Sequence, residues 1–462
     1  MVDRVGGIVL AAGHGTRFKS GTAKVLHSVC GWTLLRWVLE ALRPLALERV
    51  VVVVGFQAEA VQAETSAAGM PGLMCVTQAE QRGTGDAVRT ALQGGTLDDV
   101  ESVLVVPGDT PLVTAEALGE LVDAHRQGGR AATLLTTVLD DPTGYGRVVR
   151  DTAGGVARIV EHRDASESER RIAEVNASMY VFDRARLETE LARLKPDNDQ
   201  GEEYLTDVVA PLVTAGVGAI HAPSQVVAGV NDRLELARAG GVLRGRLLDR
   251  LMRDGVTVVD PATTYVCAQA HVAPDAVLLP GTHLEGATTV GAHAQIGPNT
   301  RLVDTTVADS ARVTFSVAVG SWIGPGATVG PFASLRPGTR MEEGSKAGTF
   351  VEMKNAHVGE GSKVPHLSYI GDTTIGRDSN IGAATVTVNY DGVSKHRTVI
   401  GDGVSIGSDT MLIAPITVGD GAYTGAGSVI TKDVPDGALA VERSELRIVP
   451  GYADRRRERR SP

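Results

Sequence analysis

Two sets of residues in this chain have the types and spacing that group transfer needs. The first opens near the N-terminus, where Leu10-Ala11-Ala12-Gly13-His14-Gly15-Thr16-Arg17 follows the strand-like Gly7-Ile8-Val9-Leu10 and Lys24-Val25-Leu26-His27 comes soon after. Glycines at a strand-to-helix turn let backbone N–H groups approach an anionic phosphate chain. Arg17 and Lys24 add two cations of the kind that offset charge building on a departing pyrophosphate. No Gly-Lys-Ser/Thr follows, so this is not a Walker A loop, and alone it reads as well as a plain turn. Asp109, in Pro107-Gly108-Asp109-Thr110-Pro111-Leu112, stands just past a buried-strand pattern. There a carboxylate serves equally well as a magnesium ligand or as the N-cap of the next helix. Gln78-Ala79-Glu80-Gln81-Arg82-Gly83-Thr84-Gly85 has the polar groups to hydrogen-bond a base edge. Gly144-Tyr145-Gly146-Arg147, Glu161-His162-Arg163-Asp164 and Glu174-Val175-Asn176 lie between strand-like runs, and each alone reads as a turn or a solvated face.

The second set lies far downstream. Phe350-Val351-Glu352-Met353-Lys354 and Ser362-Lys363-Val364-Pro365-His366-Leu367-Ser368-Tyr369 bring Lys354, His366 and Tyr369 into a short stretch. Histidine titrates where it can take a proton from an amine near neutral pH. A lone histidine is more often a surface residue; the lysine and tyrosine around this one favour function.

The elements that must position these groups change character part-way along the chain. Up to about residue 230, strand and helix signals alternate. Val50 to Gly55 and Ser102 to Val106 read as buried strands, and Leu34 to Leu42 and Ala115 to His125 as helices. Continuous β-branched runs between helices predict a mainly parallel sheet covered on both faces, with ligand beyond the carboxyl ends of the strands. Residues 231–253 read as a linking helix. Beyond it, aliphatic residues recur every six positions. Ile400, Ile406, Leu412, Val418, Thr424 and Ile430 share one grid, and shorter grids run Val290-Ile296-Leu302, Ile323-Val329-Leu335-Met341 and Val358-Val364-Ile370. That period fits neither a helix nor an alternating strand but suits a parallel β-helix with three short strands per coil. The polar stretch Asn389 to Arg397 breaks the grid and is expected to leave the coil as a loop.

Composition bounds the reading. At 462 residues the chain is long enough for two domains, and 55 glycines with only 4% aromatics suit tight coils. A net charge of −10 argues against nucleic-acid binding; the basic run Arg455 to Arg460 is expected to be a solvated, frayed end. Cys30, Cys75 and Cys267 show no paired spacing, and no stretch is long and apolar enough for a bilayer, so a cytoplasmic location is expected.

In order and along essentially the whole chain, these motifs resemble the bacterial bifunctional N-acetylglucosamine-1-phosphate uridyltransferases/glucosamine-1-phosphate acetyltransferases. The shared features are the Leu-Ala-Ala-Gly-x-Gly-Thr-Arg turn, Lys-Val-Leu-His, Ala-Glu-Gln-x-Gly-Thr, Gly-Asp-x-Pro-Leu, Gly-Tyr-Gly-Arg and Gly229-Val230-Asn231. They continue through Leu335-Arg336-Pro337-Gly338, Phe-Val-Glu-Met-Lys, His366-Leu-Ser-Tyr369, Asn380-Ile381-Gly382-Ala383 and Asn389-Tyr390-Asp391-Gly392. The resemblance implies a Rossmann-like α/β nucleotidyltransferase domain (1–230), a linker helix (231–253) and a left-handed parallel β-helix acetyltransferase domain with a basic tail (254–462), assembled as a homotrimer with acetyl sites at subunit boundaries. It implies that acetyl-CoA acetylates glucosamine 1-phosphate, and that UTP then uridylylates N-acetylglucosamine 1-phosphate with release of pyrophosphate. The product would feed cell-wall and surface polysaccharides.

The resemblance also assigns residues. Asp109 and Asn231 would hold Mg2+, and Arg17 and Lys24 the triphosphate at the catalytic centre. Leu10, Ala11, Ala12, Gly13, Pro107 and Gly108 would line the nucleotide, Gln78, Gly83 and Thr84 would read uracil, and Gly146, Glu161 and Asn176 would hold the sugar. In the second half His366 would be the base, Arg336, Lys354 and Lys395 would bind phosphate, and Tyr369 and Asn380 would orient the sugar. Ala383, Asn389, Tyr390, Ser408, Ala426 and Arg443 would line the acetyl-CoA cleft. Two departures stand out: Pro107, where some members carry Tyr, and Ala384, where the family usually has Gly and where a methyl would burden a positive-φ backbone. Two other plans share this domain order: a nucleotidyltransferase whose β-helix is only structural or regulatory, and a non-enzymatic assembly subunit. His366, Lys354 and Arg336 argue against the first, and Arg17, Lys24, Asp109 and Asn231 against the second.

Overall fold

A computed structural model describes residues 4–459, which divide into two compact units between Arg244 and Gly245. In the first, the strands of the main sheet are β1 (Val5–Ala11), β2 (Val50–Val54), β3 (Leu73–Thr77), β4 (Ser102–Pro107), β5 (Ala132–Val138), β6 (Arg147–Arg150), β7 (Val156–Val160), β8 (Glu174–Asp183) and β9 (Val217–His221). They form one sheet in the order β9-β5-β8-β4-β1-β2-β3, with the β6–β7 hairpin attached to β8. Helices α1 (Leu34–Leu42), α2 (Ala58–Ala67), α3 (Thr84–Gln93), α4 (Ala115–Gly128) and α5 (Arg184–Leu191) cover it. The five valines of β2 show why both faces are covered. Val50, Val52 and Val54 pack into one core with Leu35, Val38 and Leu39 of α1, while Val51 and Val53 join Val88 and Leu92 of α3 on the other face. Helix α1 occupies the span its apolar spacing predicts, and Thr33 caps it by accepting a bond from Arg36 N at 3.0 Å.

The sheet is mixed rather than mainly parallel. Strand β8 runs antiparallel to both β4 and β5, whereas β1 is parallel to β2 and β4, β2 to β3, and β9 to β5. A buried apolar run reports burial on two faces and carries no sign of strand direction. Helix α6 (Arg233–Arg253) begins two residues later than expected, because Asp232 serves as its cap: Asp232 Oδ1 accepts from Glu235 N at 2.8 Å.

The second unit is a solenoid of three parallel sheets, one per face, with 11, 10 and 9 strands. Val277 pairs with Gln295, three hexapeptides further on, and His283 pairs with Arg301 in the same way. Every residue of the four sequence grids points inward, from Val290 and Ile296 to Leu412 and Ile430, and most belong to one continuous core. The grids are separate because some coils lose a residue at a corner, as between Leu302 and Val307, which pair in adjoining sheets of the same stack. Residues 389–397 do leave the coil, between strands Val386–Val388 and Thr398–Ile400, but Asn389 stays buried. The tail differs from the frayed end expected: Tyr452–Glu458 is a short exposed helix, and Arg460 lies outside the described residues.

One corner of the solenoid runs against the usual rules. Phe315, Phe332, Phe350, Leu367, Ala384 and Asp409 all adopt positive φ, between 45° and 60°. They stack coil upon coil, with Leu367 N bonded to Thr349 O, Ala384 N to His366 O and Asp409 N to Ala383 O. The first four form an exposed apolar ladder, with ring centroids 5.7 and 5.3 Å apart and Leu367 60% exposed.

Candidate active sites

A cleft of about 720 Å³ opens at the carboxyl ends of β1 and β4. Its wall includes Leu10, Ala11, Ala12, Gly13, Arg17, Lys24, Gln78, Gly83, Thr84, Pro107, Asp109, Gly146, Glu161, Asn176 and Asn231. Of the residues expected in this half only Gly108 is set back; its N–H donates to Leu10 O at 2.9 Å and ties the two strand ends together. Lys24 Nζ forms an ion pair with Asp109 Oδ2 and lies 3.4 Å from Asn231 Oδ1, which also accepts from Arg17 at 2.8 Å. Asp109 is not a helix cap, since Thr114 caps α4 through Ala117 N. The Asp109 carboxylate and the Asn231 amide oxygen therefore converge on one cationic centre. Two hard oxygens, with phosphate and water to complete the shell, suit Mg2+. Among the described residues no three His, Cys, Asp or Glu gather into an all-protein cage.

The expected base pocket is built on a contact that only glycine permits. Gly83 has φ +119°, and a β-carbon there would lie 2.5 Å from Glu203 O. Around it Glu203 N bonds to Arg82 O at 2.7 Å, Gly85 N to Glu203 O at 2.8 Å, and Leu205 N to Thr84 Oγ1 at 3.0 Å. Gln78, buried, donates to Asp86 Oδ2 at 2.7 Å and to Gly83 O at 3.2 Å. At the other end of the cleft, burial pushes the Glu161 carboxyl up, against a 3.1 Å hydrogen bond from Thr206. Buried Asn176 donates to Tyr180 Oη at 2.6 Å, and its backbone N–H bonds to Gly146 O at 2.9 Å.

Tyr145 and Glu235 are among the cleft residues not expected from the sequence. Tyr145 sits between the glycines of a motif otherwise read as a turn; burial raises its phenol, aided by the carboxylates of Glu235 and Asp109. Glu235 projects from the first turn of α6, and its only sequence signal is its spacing from Asn231.

On the solenoid, the strands Ser334–Leu335, Glu352–Lys354 and Tyr369–Gly371 are neighbours on one face, with Arg336 directly after the first and Glu352 beside Tyr369. Arg336 is bonded to Glu352 at 3.0 Å. Lys354 has its ammonium depressed, chiefly by Lys395 from the 389–397 loop, so the two lysines stand together. Beneath them Asp372, missed in the sequence, accepts from Asn355 at 2.8 Å and Asn389 at 2.5 Å. Burial opposes its ionisation, but those amides and the two lysines outweigh it and hold the carboxyl low. Asp391 organises the loop, accepting from Ser394 N at 2.7 Å and sharing a 2.6 Å bond with His396; Tyr390 donates to Gly392 O at 2.7 Å.

His366 ends the strand Lys363–His366 on the adjoining face and is exposed, directly before Leu367 of the apolar ladder. Asn380 lies on His366's face, paired with Lys363. Ala383 and Ser408 occupy one corner in successive coils, through the bonds Asp409 N to Ala383 O and Gly427 N to Ser408 O. Ala426 follows in the next coil beside Gly425, whose added β-carbon would lie 2.8 Å from the Arg443 guanidinium. Of the expected acetyl-CoA residues, Ala383, Ser408, Ala426 and Arg443 thus form a column one corner along from the lysines, whereas Asn389 and Tyr390 lie in the 389–397 segment with Lys395.

Comparison with known proteins agrees with both halves. Residues 7–205 match the MobA-like NTP transferase domain family, and residues 397–432 match the bacterial transferase hexapeptide family (six repeats). The latter identifies the solenoid as a left-handed parallel β-helix. The chain is 54% identical to "Bifunctional protein GlmU" of Thermobifida fusca over 97% of its own length and 94% of the relative's. It is 53% identical to the protein of that name from Streptomyces avermitilis, with the same coverages. The Rubrobacter xylanophilus protein so named is 50% identical over 98% of this chain and 97% of its own.

Proposed function

Because the chain belongs to the family of bifunctional GlmU proteins, we propose that it makes UDP-N-acetylglucosamine in two steps at the two sites described. In the solenoid, His366 takes a proton from the 2-amino group of glucosamine 1-phosphate. The amine nitrogen attacks the thioester carbonyl of acetyl-CoA, the C–S bond breaks and coenzyme A leaves as the thiol. Arg336, Lys354 and Lys395 hold the sugar phosphate, Tyr369 and Asn380 orient the sugar, and the Ala383–Ser408–Ala426 column with Asn389, Tyr390 and Arg443 receives the cofactor.

In the cleft, a phosphate oxygen of N-acetylglucosamine 1-phosphate attacks the α-phosphorus of UTP in line, and pyrophosphate departs. The protein aligns the reactants and offsets charge. Arg17 and Lys24 neutralise the triphosphate, Gln78, Gly83 and Thr84 hold the base, and Gly146, Glu161 and Asn176 hold the sugar. Asp109 and Asn231 would hold Mg2+, which would supply positive charge to offset that of the phosphate oxygens.

The observation that carries the bifunctional reading is the second cationic cluster. A coil serving only as a spacer has no use for Lys354 and Lys395 brought together, with an exposed His366 on the adjoining face. We further propose a homotrimer whose interface covers the Phe315–Leu367 ladder, which an isolated chain leaves in water, and which would set His366 at a subunit boundary. No helix among the described residues is long and apolar enough to cross a membrane, Cys30, Cys75 and Cys267 form no disulfide with one another, and the location we propose is cytoplasmic.

The test supplies glucosamine 1-phosphate, acetyl-CoA, UTP and Mg2+, and follows thiol and pyrophosphate separately. His366→Ala is expected to abolish thiol release, and Asp109→Ala to abolish pyrophosphate release while sparing thiol. Pyrophosphate only when N-acetylglucosamine 1-phosphate is supplied, with no thiol under any condition, would reduce the solenoid to a structural module.

A further inference from the structure

We propose that Glu235 is a positioning residue for nucleotidyl transfer: it fixes Asn231 so that the amide oxygen faces the cationic pole of the cleft. The inference rests on the uridylyl-transfer reading above. Asn231 belongs to no helix or strand, yet its side-chain oxygen has to stay beside the Asp109 carboxylate. Besides Lys24 Nζ, 3.4 Å from Asn231 Oδ1, three contacts hold that segment. Val230 N bonds to Asp109 O at 2.9 Å, Arg17 donates to Asn231 Oδ1 at 2.8 Å, and Asn231 N donates to Glu235 Oε2 at 2.6 Å. The first sets the spacing of the two segments. The second is available only until Arg17 turns to a phosphate. The third is independent of ligand and fixes the backbone from which the Asn231 side chain springs.

Glu235 is itself held on a rigid element. It lies in the first turn of α6, and its N–H is bonded to Asp232 Oδ1 at 2.8 Å. In an ordinary capping box a glutamate at this position reaches back to the N–H of the capping residue. Here the cap is Asp232, and the carboxylate reaches one residue further, to Asn231. It also lines the cleft and lends its charge to the environment of Tyr145. A short bond from an amide to an ionised carboxylate is among the stronger orienting contacts a side chain makes. The helix therefore begins by holding a ligand-side residue as well as by closing its own end.

The experiment compares full-length Glu235→Ala and Glu235→Gln with the wild type in four measurements. These are pyrophosphate release against Mg2+ concentration, thiol release, melting temperature, and Mn2+ affinity by electron paramagnetic resonance with UDP-N-acetylglucosamine present. Loss of an outer partner of a metal-side residue typically weakens metal affinity or activity about 10–100-fold, and Glu235→Ala is expected in that range for both Mn2+ affinity and Mg2+ requirement. Thiol release should stay within about twofold, showing an intact fold, and Glu235→Gln, which keeps an acceptor, should recover to within about fivefold of the wild type. A lowered melting temperature with unchanged Mn2+ affinity would make Glu235 a helix cap only. Equal losses in both variants would assign the effect to charge rather than to the hydrogen bond, and would also overturn the proposal. No pyrophosphate from the wild type would remove the reading on which it rests; normal wild-type turnover with a normal Glu235→Ala would remove this inference alone.

Discussion

Gly83→Ala is the sharpest single perturbation of the nucleotide cleft, because two separate costs fall on one methyl group. At φ +119° and ψ 179° the backbone occupies a region open essentially to glycine, and an L-residue there costs about 1–3 kcal/mol. The new β-carbon would also lie 2.5 Å from Glu203 O and 2.9 Å from Glu203 N, and neither backbone atom can swing aside as a flexible side chain does. The chain can keep the contact and bear the strain, or retreat and lose the bonds Glu203 N to Arg82 O and Gly85 N to Glu203 O. Each such bond is worth about 0.5–1.5 kcal/mol net. These are alternatives, so they do not add in full, and the total is about 2–4 kcal/mol. For a unit of this size that lowers the melting temperature by about 5–15 °C. Retreat also carries Thr84 and the mouth of the base pocket with it. A displacement of about 1 Å at a binding loop is enough to raise the KM for UTP tenfold or more. The assay is differential scanning calorimetry with both activities measured on one preparation. Acetyl transfer should be unchanged, since this contact lies wholly within the first unit. An unaltered first melting transition together with an unaltered KM for UTP would refute the argument from close approach.

Glu161 provides a pH test. Burial raises its carboxyl above the ordinary 4.5, so the folded chain holds that proton more tightly than the unfolded one. Its contribution is full below pH 4.5 and is lost as pH rises through the folded value. Glu161→Gln is therefore expected to melt higher than wild type at pH 7 and to converge with it near pH 4, while the KM for the sugar phosphate rises; a gap that widens toward acid would contradict the burial argument. Ala384→Gly is expected to change little. Relief of the φ +60° backbone, about 1–2 kcal/mol, is largely offset by about 0.5–1 kcal/mol of glycine entropy. Phe350, Leu367 and Asp409 tolerate the same conformation in adjoining coils, so the methyl points outward as theirs do. A gain above about tenfold in kcat/KM for acetyl-CoA would show instead that the methyl obstructs the thioester.

The parts that were legible in the sequence are those where one physical rule acts alone. The six-residue grids depend only on which side chains face inward, and every grid position is buried. Helix α1 depends on apolar spacing and a threonine cap, and both its ends agree. The direction of β8 was not legible, because its apolar run would look the same in either orientation. Tyr145 and Asp372 escaped because their surroundings come from segments distant in the chain, and Glu235 because its spacing from Asn231 does not say where the carboxylate turns. The exposed, positive-φ phenylalanines break two expectations at once, since neither aromatic exposure nor left-handed backbone is the default for Phe. Asp109 was balanced between metal ligand and helix cap until Thr114 proved to hold the cap position.

The stacked corner also acts as a ruler. Each coil places one residue on it, and neighbouring parallel strands lie about 4.8 Å apart, so the steps from Phe315 to Leu367 mark roughly 14 Å along the axis. His366 sits beside the last mark. Deleting a whole coil ahead of Phe315 would shorten the solenoid and leave the distance from ladder to base intact. Inserting one between Phe350 and Leu367 would keep every coil well packed yet slide the base one graduation along the apolar row, about 4.8 Å. The length of this domain can therefore drift in evolution or design at one end, while its calibration near His366 cannot.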